Sequence, residues 1–80
     1  MVADRTLYEE VTRIAEDYLG PAAPRFINRL ITNHLHKEPE DLMKRDIKEL
    51  TTWTRLAVSM ITNEEETVED FVERLRLLGR

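Results

Sequence analysis

Eighty residues with 12 basic and 16 acidic side chains, a net charge of −4 and 41% hydrophobic content describe one small domain, residues 1–80. A chain this short buries only about 60–65% of its unfolded surface, so its core is one thin layer with no room for separate catalytic and substrate domains. With no cysteine there is no disulfide framework, thiolate zinc site or thiol nucleophile, and the mild acidity argues against non-specific nucleic-acid binding, which needs many Lys and Arg on one face.

The first predicted helix runs from Thr6 to Leu19. Thr6 and Glu9 have the spacing of a capping box. Leu7, Val11, Ile14, Ala15 and Tyr18 recur at helical spacing and form one stripe. Gly20-Pro21 ends it, because Pro21 cannot continue the hydrogen-bond ladder. The second helix is predicted from Pro21, suited to the first helical position, to Lys37. Ala23, Phe26, Ile27, Leu30, Ile31 and Leu35 share one half of it, and Arg25, Arg29, Thr32 and His36 the other. After the break at Glu38-Pro39, residues 39–43 are expected to form a short extra turn that offers Leu42 and Met43 to the core.

Asp46, with Glu49 three residues on, reads as the cap of a third helix. Ile47, Leu50, Trp53, Ala57, Met60 and Ile61 line its face, flanked by Leu56 and Val58. That arc spans roughly 200°, wider than the roughly 100° stripe of an ordinary surface helix. Asn63 and Glu66 repeat the capping signature for a fourth helix, with Val68, Phe71, Val72, Leu75 and Leu78 as its stripe. Acidic residues from Glu64 to Asp70 occupy its start and Arg74, Arg76 and Arg80 its end, an order that complements the helix dipole. Gly79 supplies the stop.

Nothing reads as a strand. The expected fold is all-α, a compact bundle of four helices with the short turn between the second and third. The third helix should be central, or partly covered by another molecule. No apolar run approaches the roughly 20 residues of a membrane span. No basic stretch followed by an apolar segment stands at the N-terminus. A cytoplasmic location with no membrane partner is expected.

The chemistry-bearing residues are few. His34 and His36, two positions apart, point about 200° from each other on a helix and cannot chelate one metal there; no metal or other cofactor is expected. His34 projects near the middle of the apolar face. It reads either as a packed histidine at a helix end or as a proton-sensitive switch or ligand-sensing position. Between Gly20 and Lys37 no acidic residue occurs. Arg25, Arg29 and Lys37 give this stretch a charge of about +3, either a solvated face or a surface for an acidic or phosphate-bearing partner. Trp53, the single tryptophan, sits at the edge of the wide arc, as core packing or as an interface anchor. No Gly-rich loop or nucleophile–base constellation appears, so the chain does not read as an enzyme.

The run Tyr18-Leu19-Gly20-Pro21-Ala22-Ala23-Pro24-Arg25-Phe26 stands first, followed by Pro39-Glu40-Asp41-Leu42 and by Asp46-Ile47-Lys48-Glu49-Leu50-Thr51-Thr52-Trp53. Together they resemble a bacterial helical module of about this length, seen alone or at the C-terminal end of signalling and regulatory proteins. The resemblance covers most of the chain. It implies an association or localisation module without catalysis, and leaves open whether the chain stands alone or is part of a longer protein.

The expectation is therefore a small helical interaction module that self-associates. Trp53, Leu56 and Met60 are its apolar contacts and Arg25 and Arg29 its polar ones; its partner is a second copy or a signalling protein. The alternatives are a nucleic-acid-binding regulator using Arg25 and Arg29, and a ligand or pH sensor centred on His34.

Overall fold

The structure, a computed structural model, describes residues 6–80. The described residues form helices and turns without a strand, so the all-α expectation holds. Helix α1 spans Leu7–Leu19. Thr6 Oγ1 accepts from the Glu9 N–H at 3.1 Å and Glu9 Oε1 accepts from the Thr6 N–H at 3.2 Å. Both free donors of the first turn are thus satisfied as the sequence predicts. Val11 and Ala15 are buried, with Leu7, Ile14 and Tyr18 packed at the margin of the core. The helix ends at Gly20, whose φ of 62° and ψ of −141° form the mirror image of an extended conformation, a region open to glycine.

The second segment departs from the single helix expected over Pro21–Lys37. It is a 3₁₀ turn at Gly20–Ala22, then α2 at Ala23–Leu30, then a π turn at Ile31–Leu35. It stops short of Lys37 because His36 is left-handed, with φ 59° and ψ 43°. The N–H groups of His36 and Lys37 both turn back to the Ile31 carbonyl, satisfying an acceptor that the helix end would leave free.

A 3₁₀ turn at Pro39–Asp41 follows. Leu42 is buried but Met43 is exposed, which corrects the expectation that both enter the core. Both residues have extended backbone, where consecutive side chains point to opposite sides. A further 3₁₀ turn at Lys44–Asp46 leads into α3, Ile47–Ser59.

Asp46 does not cap α3 as predicted. Its backbone is already helical, and its carboxylate reaches back one turn to accept from the Met43 N–H at 2.9 Å and from Lys37 Nζ at 2.7 Å. Helix α4 spans Glu65–Leu78. The Asn63–Glu66 box is also absent. The boundary residue is Glu64, whose N–H donates to Thr62 Oγ1 at 3.2 Å, so Asn63 stands one position too early to cap.

Helix α1 packs against both α2 and α4, and α3 packs mainly against α4. Phe71, Ile27, Ile31, Ile47, Leu50 and Leu75 fill the centre. The radius of gyration, 11.9 Å, matches the about 12 Å of a folded chain this size. The α4 end closes on the α3 start: a Cβ at Gly79 would lie 2.9 Å from Ile47 Cβ, so only glycine fits. The third helix is therefore not central. It lies at one side, touching α4 and, through the π turn, the end of the second segment. No described helix is long and apolar enough to cross a membrane.

Candidate functional site

The placement of α3 divides its residues into two faces. At 100° per residue, Ile47, Leu50, Thr51, Thr54 and Val58 point one way, and all five are buried. Leu56 and Met60, one turn apart, point the other way and are 53% and 88% exposed. The wide apolar arc thus splits into a buried stripe and an uncovered one.

The helix end adds to the second. The Met60 N–H bonds the Ala57 carbonyl, and the Ile61 N–H bonds the Val58 carbonyl at 2.9 Å. This tightened last turn carries Ile61 outward to 65% exposure. Met60 and Ile61, read from the sequence as part of the wide apolar face of the third helix, are both turned to solvent.

Trp53 borders the uncovered strip, three residues before Leu56. It is half-buried, and its ring stacks on His34 with centroids 4.1 Å apart and planes 20° from parallel. His34 belongs to the π turn, so the stack joins the second segment to α3. Beside it in sequence, Lys37 and Asp46 form an ion pair at 2.7 Å that ties the same two segments. Burial pushes the Asp46 carboxyl up, but hydrogen bonds from Lys37 and the Met43 N–H, with the charges of Lys37 and Arg45, outweigh it and hold the group below its ordinary value.

Arg25 and Arg29 are exposed on α2 and make no ion pair among the described residues. Both lie on the side of α2 opposite its buried stripe of Ala23, Ile27 and Leu30, by helical spacing. The basic pair thus stands on α2, while Trp53, Leu56 and Met60 stand on α3 and its end. His36 is exposed. Among the described residues no group of His, Asp and Glu side chains has the arrangement of a metal site.

Charge is sorted along the α3–α4 hairpin. Lys44, Arg45 and Lys48 are exposed at its base, where Lys44 Nζ donates to the Arg80 carbonyl at 3.2 Å. Glu64, Glu65 and Glu66 are exposed at its tip. The apolar strip lies between.

Sequence reading missed a polar cluster across α1 and α4. Tyr18 stacks on Phe71 at 4.6 Å, its hydroxyl donates to Asp70, and it accepts from Arg74 at 3.2 Å. Arg74 also pairs with Asp17 at 2.9 Å. Burial and the Asp70 carboxylate raise the Tyr18 hydroxyl above its ordinary value, against the opposing pull of Arg74. Asp70 and Arg74, one turn apart on α4, were the available signal; their partners on α1 were not.

No protein-family model, curated protein or solved structure matches the chain.

Proposed function

We propose that this chain is a small helical protein–protein interaction module of bacterial signalling or regulation, acting in the cytoplasm without catalysis. In this reading the composite second segment serves as the fourth rod of a four-helix bundle, and the outer face of α3 is the contact surface. The observation that carries it is the row of large apolar side chains left uncovered on α3: Leu56 at 53%, Met60 at 88% and, just beyond, Ile61 at 65% exposure. Contiguous exposed apolar side chains mark association surfaces more often than isolated ones do.

Trp53 suits the role of anchor beside them. Its ring is held in one orientation by His34, so little side-chain freedom is lost when a partner packs on its free edge.

A photo-crosslinking residue placed at position 60 in cells of origin tests this. Discrete protein adducts are expected from position 60, absent from the exposed control position 32, and lost when Leu56→Asp is added. The same adducts at both positions would refute the reading.

A further inference from the structure

Resting on that reading of the outer face of α3, we infer that its occupant is a second copy of this chain, paired antiparallel across a two-fold axis. Pairing of identical surfaces requires a surface that complements itself when reversed. The α3–α4 hairpin has such a surface. Its base carries exposed Lys44, Arg45 and Lys48, its middle exposed Leu56 and Met60, and its tip exposed Glu64, Glu65 and Glu66.

Laying two hairpins side by side in the same direction sets basic on basic and acidic on acidic. Reversing one sets each base on the other's tip and keeps the apolar middles in contact. Centred between Leu56 and Ala57, the reversed pair aligns Trp53 with Met60 of the partner subunit and sets the base of each hairpin, with Lys48, toward the partner's acidic tip. Glu49 is exposed at the base and opposes this alignment, yet Lys44, Arg45 and Lys48 leave the base net positive. The glutamates of the tip make no ion pair among the described residues up to Glu66, so their charge is available.

The apolar middle is small beside the roughly 800 Å² per partner of a standard interface, so association falls in the micromolar-to-millimolar range. Oppositely charged ends add orientation and make it salt-sensitive.

Sedimentation equilibrium of the purified chain from about 10 µM to about 1 mM covers this range. The mean mass is expected to climb from 9.5 kDa toward twice that value, and to climb less in high salt. Met60→Asp, at a residue the fold leaves exposed, is expected to weaken association at least tenfold with an unchanged far-ultraviolet circular dichroism spectrum. Lys48→Glu and Glu65→Lys are each expected to weaken it several-fold. The combined swap Lys44→Glu/Lys48→Glu/Glu65→Lys/Glu66→Lys is expected to restore it, because both ends then exchange sign together.

A chain that stays monomeric at about 1 mM, or a combined swap no better than the weaker single variant, overturns the antiparallel pair. A monomer that still gives Leu56-dependent adducts at position 60 overturns the second copy while leaving the contact face in place. Absence of both overturns the underlying reading as well.

Discussion

Two residues show how different physical costs sit in one small chain. Thr54 is fully buried in the inner face of α3, and its hydroxyl has no hydrogen-bond partner. A buried hydroxyl without a partner costs about 1–3 kcal/mol. Thr54→Val keeps the shape and removes the polar atom, so it is expected to stabilise the fold by about 1 kcal/mol, raising the melting temperature by roughly 4–8 °C. A lower melting temperature would show that the hydroxyl is satisfied in solution. Gly20 is the opposite case. A Cβ there meets nothing within 4 Å, yet φ is +62°. The cost of Gly20→Ala is then backbone strain alone, about 1–3 kcal/mol of destabilisation measured by urea unfolding. An unchanged midpoint would mean that the turn relaxes freely.

At the scale of elements, the joint between the second segment and α3 depends on Asp46. Its carboxyl lies below the ordinary value of 3.8 in the fold and returns to that value on unfolding. Stability from Asp46 is therefore fully present above the unfolded value and is lost as pH falls through the lower, folded one. Asp46→Asn is expected to be less stable than the wild type near neutral pH. The gap should close as pH falls from about 5 to about 2, as followed by thermal melts; a constant gap would detach the joint from this carboxyl.

The same joint shows which elements were legible in the sequence. Thr6 and Glu9 need only each other, and their box forms as read. Asp46 had two donors within reach, and the nearer turn and a lysine nine residues away took it. Helical periodicity ranked the directions around α3 but not which neighbour would stand in each, so Leu50 and Ile61 looked alike although one is buried and the other is 65% exposed. The left-handed His36 was hidden because no glycine announced it. The Tyr18 cluster joins residues 52 and 56 positions apart, beyond any local pattern. Of the candidate contacts, the exposure of Leu56 was foreshadowed by the excess width of the arc.

For the whole molecule, the core is thin enough that one side chain can decide the fold. At about 0.05–0.15 kcal/mol per residue, a domain of this size is stable by roughly 4–12 kcal/mol. Phe71 is fully buried, faces Tyr18 in the α1–α4 stack, and belongs to the helix that both α1 and α3 pack against. Phe71→Ala is expected to cost about 3–5 kcal/mol, a large share of that margin, and to abolish the sharp thermal transition or shift it by tens of degrees. Met60→Ala deletes a side chain of similar bulk from a position that touches little of its own chain, so its stability should stay within about 0.5 kcal/mol of the wild type. Both are read in one melting experiment on dilute protein, where self-association contributes least. A fold destabilised equally by the two changes would mean that Met60 packs inside its own subunit, and the uncovered face of α3 would vanish with that result. If only Phe71→Ala matters, the apolar side chains of α3 divide between holding this chain together and meeting another.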